Sequence, residues 1–177
     1  DFTGLFNINL RYKGWYLQAY SQFSFGSDII DSSTQRYLDN YDRGTDWATT
    51  GLRDLSDLSF WQNPGDGAAG VRYPALYPAL PNTTPYYRFR SGQSLWKESG
   101  DYWKISNATL GYTIDRNRVL DQMHISRVRV YGTILNPYQW QRSKVVADAS
   151  QVDEMGYTLG NGYPQSKTFT LGLDIKF

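Results

Sequence analysis

The stretch SKTFTLGLDIKF, residues 166–177, alternates between two kinds of side chain with a period of two. Every second position is apolar, namely Phe169, Leu171, Leu173, Ile175 and Phe177. Such alternation is typical of a β-strand with one apolar face and one polar face. The stretch is longer than the usual soluble strand of about 5 to 6 residues and suits the roughly 9 to 11 that a tilted strand needs to cross a bilayer. It therefore predicts a membrane-spanning strand.

Four further segments show the same alternation. Together with the first they define five predicted strands, at residues 3–12, 15–25, 102–114, 126–136 and 166–177. Short connections alternate with two long ones, at residues 26–101 and 137–165. Bacterial outer-membrane barrels combine short periplasmic turns with long extracellular loops. The predicted fold class is therefore all-β, an antiparallel transmembrane β-barrel, with both long connections extracellular.

The composition narrows the possible functions. Aromatic residues make up 16% of the chain, and such rings settle at membrane interfaces, on carbohydrate-binding surfaces and along β-sheets. A net charge of +1 leaves no electrostatic footprint for nucleic acid. The absence of cysteine removes disulfides and thiolate catalysis. No apolar run reaches the roughly 18 to 20 residues of a membrane-spanning helix.

Four sequence motifs follow one another along the chain: LRYKGW at 10–15, WKESGDYWKISNATLGYTI at 96–114, SRVRVYGTILN at 126–136 and YPQSKTFTLGLDIKF at 163–177. In this order they resemble the C-terminal part of SusC/RagA-like, TonB-dependent transporters of Bacteroidetes. The second motif is the most specific match. The third departs from the family's pattern at residues 134–137, and the loop at 26–95 is the least similar part.

This resemblance implies an active importer of oligosaccharides or peptides in the outer membrane. Such importers work with a SusD-like surface lipoprotein and are energised by TonB, which acts through a plug domain. The resemblance also implies a barrel of about twenty-two strands, within the range known for such proteins. This chain is then expected to supply the last five, without the plug. Phe177 would be the signal that the barrel-assembly machinery reads, and neither a cofactor nor an enzymatic activity is expected.

Five strands cannot close a barrel by themselves. At least about eight strands are needed for closure. An open sheet leaves the N–H and C=O groups of its edges unpaired in hydrocarbon, at several kcal/mol each. The chain is therefore expected to be stable only beside further barrel strands, from the same parent or a companion chain, and against outer-membrane lipid.

The long connection at 26–101 is rich in Gly, Pro, Asp, Asn and Tyr and shows no sustained alternation. Its best helical candidate is residues 47–60. Its aromatic side chains are candidates for stacking on sugar rings, for contact with the lipoprotein, or for packing within the loop. These residues are Trp47, Trp61, Tyr73, Tyr77, Tyr86 and Tyr87.

The fourth predicted strand carries Arg127, Arg129 and Tyr131 on its polar face. These residues are therefore predicted to line the lumen of the barrel. There the two arginines either shape the substrate path or pair with acidic groups of the plug. Outward-facing aromatic residues are assigned to lipid contact and to the interfacial girdles, namely Phe6, Tyr12, Trp15, Phe25, Tyr112, Phe169 and Phe177.

Other polar groups predict neither a metal site nor catalysis. A group of oxygen ligands in the first loop lacks the spacing of a calcium-binding loop; it comprises Asp39, Asn40, Asp42 and Asp46. Two carboxylate pairs lie beside predicted strand ends, where charged side chains face water: Glu98 with Asp101 and Asp153 with Glu154. His124 is the only histidine and has no second one to join it.

Two other classes of protein remain open at this point. A soluble carbohydrate-binding β-sandwich also has alternating strands and exposed aromatic rings, but it needs a buried face on each strand. A passive porin or an adhesin barrel shares the strands and lacks a plug domain.

Overall fold

The computed structural model describes residues 1–43, 54–75, 88–115, 118–158 and 164–177. The strands are β1 (Phe2–Tyr12), β2 (Trp15–Phe25), β3 (Asp28–Ile30), β4 (Lys97–Ser99), β5 (Tyr102–Asp115), β6 (Arg127–Gln141) and β7 (Thr168–Lys176). The helices are α1 (Ser32–Arg43) and α2 (Arg118–Gln122), with 3-10 turns at Asp66–Ala69 and Ser94–Trp96.

The chain forms two compact units. The first, called the sheet unit, comprises Asp1–Ser27, Ser99–Lys144 and Tyr163–Phe177. The second, called the loop unit, comprises Asp28–Glu98 and Val145–Gly162. The two long connections of the sequence thus contribute to one and the same unit.

The sheet unit is built on five strands in the order β1-β2-β5-β6-β7, and every neighbouring pair is antiparallel. β1 and β2 are joined by a tight turn at Lys13 and Gly14, whose φ values are 45° and 86°. Positive φ at both central residues gives the hairpin turn whose twist matches that of its strands. The turn fixes the register from Tyr12 opposite Trp15 to Phe2 opposite Phe25.

Two features of the sheet unit differ from the sequence-based expectation: the connection between β5 and β6, and the end of β6. The expected turn between β5 and β6 contains the short helix α2. β6 continues to Gln141 instead of ending at residue 136. Asn136 has a φ of 50°, and the β5–β6 register shifts between Ile105 and Asn107. Asn136 and Pro137 thus form a β-bulge in β6, and regular pairing resumes with Tyr138 opposite Ile105.

The loop unit has a buried hydrophobic core, formed by Leu38, Leu58, Tyr73, Phe89 and Trp96. Trp96 is fully buried, and its indole N–H donates to the carbonyl oxygen of Arg90 at 2.7 Å. Its ring centroid lies 6.1 Å from those of both Tyr73 and Phe89. Tilted aromatic pairs at such distances stabilise a core beyond their area burial alone.

Helix α1 corrects the prediction of a helix at residues 47–60. Residues 54–60 are not helical, and 47–53 lie outside the described residues. The helix begins instead after Asp31, whose carboxylate accepts the Thr34 N–H at 3.1 Å. This is N-capping, and it satisfies one of the free N–H groups of the first turn. Thr34 and Leu38, four residues apart on one helix face, are fully buried.

Short strands tie the pieces of the loop unit together. β3 pairs with β4, and the Asp31 N–H donates to the Trp96 carbonyl at 2.8 Å. Ile30 donates its N–H to Gly156 and accepts the Thr158 N–H, each at 2.9 Å. These backbone bonds join residues 145–158 to the segment that follows β2.

Candidate functional site

One face of the five-stranded sheet is apolar and exposed. On β7, Phe169, Leu171, Leu173 and Ile175 have 73%, 90%, 60% and 44% of their surface accessible. A soluble protein rarely leaves so large a contiguous apolar surface open. The residues assigned to lipid contact are all exposed as well, namely Phe6, Tyr12, Trp15, Phe25, Tyr112, Phe169 and Phe177.

Aromatic side chains gather near the two ends of this face. At the Lys13–Gly14 end, the rings of Trp15 and Tyr112 lie 4.9 Å apart. At the other end, the Phe25 ring lies 6.3 Å from that of Trp140. Ten residues of strand span about 33 Å, or about 25 Å across a bilayer at a tilt of about 40°. The two aromatic groups therefore stand at the separation of the interfacial girdles of a membrane barrel.

The opposite face of the sheet is polar and carries a row of alternating tyrosine and glycine. Tyr16, Gly111, Tyr131 and Gly172 face one another across β2, β5, β6 and β7. A Cβ atom at Gly111 would overlap the Tyr16 ring, and one at Gly172 would overlap the Tyr131 ring. Each tyrosine ring therefore lies flat over the glycine of the next strand, which only glycine permits.

This row fixes the position of Arg129. The Arg129 guanidinium carbon lies 4.7 Å from the centroid of the Tyr16 ring and 4.9 Å from that of Tyr131. Its Nε–H donates to the Tyr16 hydroxyl at 2.7 Å. Cation–π contact on two sides and one hydrogen bond therefore hold the guanidinium in place.

Arg127 and Tyr131 lie on the same polar face of β6 as Arg129. Arg127 donates its Nε–H to the Asp115 carboxylate at 3.0 Å. The structure therefore brings together the three residues predicted to line the lumen. Their role in lining a lumen stays a prediction.

Asp101 joins three strands at the end of the sheet opposite the Lys13–Gly14 turn. Its carboxylate accepts the Gly26 N–H at 2.6 Å and an Arg142 N–H at 2.9 Å. Gly26 follows β2 and Arg142 follows β6. The Gly26 N–H, assisted by Arg142, holds the pKa of the Asp101 carboxyl below its ordinary value, against the opposing effect of burial.

The aromatic candidates of the first loop separate into two kinds. Tyr73 is only 4% exposed and belongs to the core of the loop unit. Trp61 is 37% exposed, and its backbone N–H donates to the Tyr73 carbonyl at 2.9 Å. Trp47, Tyr77, Tyr86 and Tyr87 lie outside the described residues. Contact of these side chains with a ligand or partner stays a prediction.

The carboxylates weighed in the sequence have separate partners. Glu98 pairs with Arg72 within the loop unit, whereas Asp101 binds Gly26 and Arg142 in the sheet unit. Among the described residues no group of three or more His, Asp or Glu side chains is placed to hold a metal ion. Asp46 lies outside the described residues. No helix of the described part of the chain has the length and hydrophobicity to span a membrane.

Sequence reasoning missed the tyrosine–glycine row and the three-strand contact of Asp101. The row has a signal in the sequence, because Gly111 and Gly172 fall on polar-face positions of predicted strands. Recognising that signal requires the inter-strand register, which one strand alone does not supply. Asp101 lies between strands and has no periodic signal.

These features define one class of protein, in which a sheet turns apolar side chains outward and polar ones inward. Comparison with known proteins agrees. The whole chain is 25% identical over 185 residues to TonB-dependent receptor P39 of Formosa agariphila. It is 26% identical over 191 residues to TonB-dependent receptor P3 of the same organism. The chain spans 16% of the length of each of these relatives. No protein-family model matches.

Solved structures show the same fold. The RagAB peptide transporter matches 99% of this chain with a TM-score of 0.63 and 21% identity, and the chain covers 17% of it. The RagAB peptide importer in its open-open state matches the same share with a TM-score of 0.61 and 22% identity. The resemblance predicted from the sequence is thus confirmed, as is the fold class. The chain has the fold of part of an outer-membrane β-barrel, and the proteins to which it is similar are TonB-dependent receptors and the RagAB peptide importer.

Proposed function

We propose that the parent protein of these strands imports oligosaccharides or peptides too large for porins across the outer membrane. TonB energises the import through a plug domain, and a SusD-like surface lipoprotein assists it. The observation that carries this proposal is the exposed apolar face of the sheet, backed by a polar face. Only a barrel wall between lipid and a hydrated interior uses both faces in this way.

In this proposal the five strands supply one sector of the wall. Arg127, Arg129 and Tyr131 line the interior, and the two long connections lie on the extracellular side. Phe177 serves as the signal for barrel assembly. The further strands pair with the outer edges of β1 and β7, because hydrocarbon cannot satisfy the free N–H and C=O groups there.

A soluble β-sandwich does not account for the sheet. In a sandwich a second sheet packs about 10 Å away and buries the apolar face. In the described part of the chain, the apolar residues of β7 have no such cover. A β-sandwich therefore explains the alternation of apolar and polar side chains along the strands, but it does not explain why the apolar side chains of β7 are exposed.

Uptake measurements test the import function. Cells that express the parent protein are supplied with fluorescent oligosaccharides and oligopeptides above the size limit of porins. We expect uptake of at least one kind that stops when TonB is deleted or the proton gradient is collapsed. Uptake that continues without TonB would assign the barrel to the passive porins instead.

The proposed lipoprotein partner needs a separate test. The parent protein is purified from outer membranes in mild detergent, with a heat-dissociated sample as control. We expect a surface lipoprotein to purify with the native barrel in equimolar amount and to separate from the heated one. A barrel that purifies alone, with its uptake intact, would remove the partner from the proposal.

A further inference from the structure

We infer that Asp101 is a clasp that couples the two long connections where they meet the sheet unit. The first connection leaves the sheet unit after β2 and returns to it before β5, and the second leaves after β6. Asp101 lies at the return of the first connection and bonds to both points of departure. The inference concerns the fold of this chain and holds whatever solute the parent protein imports.

Two hydrogen bonds hold the end of β2 to the segment before β5. The Asp101 carboxylate accepts the Gly26 N–H at 2.6 Å, and the Ser27 carbonyl oxygen accepts the Gly100 N–H at 2.8 Å. Gly26 has a φ of 78°, in the left-handed region that favours glycine. The extended conformation of β2 therefore ends at the residue that the carboxylate holds.

Two further hydrogen bonds hold the same segment to the end of β6. The Arg142 guanidinium donates to the Asp101 carboxylate at 2.9 Å, and the Arg142 backbone N–H donates to the Asp101 carbonyl oxygen at 3.0 Å. Asp101 uses Oδ1 for Gly26, Oδ2 for the guanidinium and its carbonyl oxygen for the Arg142 backbone. Because each bond has its own acceptor atom, all three can form at once.

The clasp is complete within this chain. β2, β5 and β6 are adjacent strands of the sheet, so the contact needs no strand from elsewhere in the parent protein. Asp101 is only 6% exposed, although the Arg142 side chain beside it is 70% exposed. Residues of the chain itself therefore shelter the carboxylate from water, and its hydrogen bonds are stronger than those of an exposed ion pair.

A sheltered carboxylate that bonds two strand ends makes each bond depend on the other. If the end of β2 moves away, one carboxylate oxygen loses its partner, and an unpaired buried oxygen is unfavourable. The water that then reaches Asp101 also weakens its bond to Arg142. Opening at either strand end therefore favours opening at the other, and a movement of the first connection is passed to the start of the second.

Hydrogen exchange of the full-length protein in detergent tests the clasp, with mass spectrometry that resolves single residues. The reporters are the backbone N–H groups of Gly26, Gly100 and Arg142. Those of Gly100 and Arg142 donate to backbone carbonyl oxygens, so a change of the Asp101 side chain leaves their own acceptors in place. The test variant is Asp101→Ala. Asp115→Ala is the matched control, because it removes the carboxylate of another ion pair between β5 and β6.

We expect all three N–H groups to exchange about 10-fold faster in the Asp101→Ala protein, as for an opening made easier by about 1.4 kcal/mol. The Asp115→Ala protein should exchange like the native protein at these positions. The Leu110 N–H, in the middle of β5, should be unchanged in both variants if the barrel is folded. Faster exchange at Gly26 alone would mean that Asp101 makes a local bond without coupling, and it would overturn the inference.

A milder variant keeps the test decisive if Asp101→Ala does not fold. Arg142→Ala removes an exposed side chain that bonds Asp101 and leaves the carboxylate and Gly26 in place. We expect the Gly26 N–H, on another strand, to exchange about 3-fold faster, as for the loss of one partly exposed ion pair. Unchanged exchange at Gly26 would contradict the coupling. Neither TonB nor a solute enters these measurements, so their outcome is independent of the uptake test.

Discussion

The two units of the chain use the same kinds of apolar residue in opposite ways. In the loop unit, Trp96, Phe89 and Leu38 are fully buried. In the sheet unit, Phe169 and Leu171 are among the most exposed side chains. The loop unit therefore has a conventional hydrophobic core, as in a protein surrounded by water. The apolar face of the sheet unit is instead exposed and suited to contact with lipid.

The difference teaches that burial inside the chain does not measure how hydrophobic residues stabilise a membrane protein. Exposed Leu171 would cost a soluble protein free energy, but against acyl chains it is in a favourable environment. The core of the loop unit is stabilised by leaving water, and the sheet by facing lipid. Substitutions at the two kinds of position should therefore give different defects.

The largest effect is expected in the loop unit from Trp96→Ala. Removing a fully buried aromatic side chain costs about 3 to 5 kcal/mol through lost burial and the cavity that remains. We expect the connections to become sensitive to protease added to whole cells, while the barrel still migrates as a folded, heat-modifiable band. Trp61→Ala, at an exposed position, is the control and should leave protease resistance unchanged. Equal sensitivity of both variants would contradict a core centred on Trp96.

The sheet unit should respond most to Leu171→Arg. An arginine facing lipid near the bilayer midplane costs about 2 to 4 kcal/mol. We expect a smaller amount of heat-modifiable barrel in the outer membrane. Thr170→Arg places the same charge on the polar face of the same strand and should assemble normally. If both variants assemble equally well, β7 does not have one face in lipid.

The tyrosine–glycine row should show the next largest effect. A methyl group at Gly172 collides with the Tyr131 ring, and overpacking of this kind costs about 1 to 3 kcal/mol. Gly172→Ala should therefore lower the temperature at which the folded band is lost. Gly132→Ala on the apolar face is the control, since its Cβ would meet the flexible end of Leu171 at 3.3 Å and the Thr170 carbonyl oxygen at an ordinary contact distance of 3.9 Å. A larger loss in the control would argue against the interlocked row.

The smallest effect is expected from Asp101→Asn, and it should depend on pH. Hydrogen bonds from Gly26 and Arg142 lower the pKa of this carboxyl when the protein is folded. Its stabilisation is therefore fully present above the unfolded value of about 3.9 and is lost as the pH falls through the folded value.

At pH 7 we expect the free energy of unfolding to be about 1 kcal/mol higher for the native protein than for the Asp101→Asn variant. The shift in thermal midpoint between the two proteins measures this difference. The difference should shrink as the pH falls below about 4, since the native carboxyl is then protonated as well. A constant difference across that range would mean that Asp101 acts through its shape and not its charge.

The sheet could be predicted from the sequence because each strand carries its own signal. Alternation over 166–177 identifies β7 and both of its faces without reference to any other strand. The Lys13–Gly14 turn likewise has a local signature. The strand type and the lipid-facing side both follow from a period of two.

Helix α1 shows where local reading fails. Within residues 32–40 its deeply buried side chains are Thr34 and Leu38, and one of these two is polar. The signal that was available is Asp31 before Ser32 and Ser33, which is an N-cap pattern. The end of β6 was missed for another reason, because Asn136–Pro137 reads as a stop unless the bulge is known.

The candidate site falls between these two cases. Arg127, Arg129 and Tyr131 could be placed on one face from alternation alone. The contact of Arg129 with Tyr16 joins residues 113 positions apart, and it depends on β5 lying between their strands. Long-range register of this kind is a property of the folded sheet.

Cysteine scanning of β7 tests the lipid-facing assignment most directly. The chain contains no cysteine, so single substitutions from Thr168 to Lys176 can each carry a spin label, in a full-length protein from which any cysteine outside this chain has been replaced and which is reconstituted in bilayers. Accessibility to oxygen reports lipid, and accessibility to a water-soluble nickel chelate reports water. We predict that accessibility varies along β7 with a period of two. Labels at 169, 171, 173 and 175 should be highly accessible to oxygen, and labels at the positions between them should be highly accessible to the nickel chelate. Uniform accessibility along the strand, or the reverse pattern, would contradict the assignment.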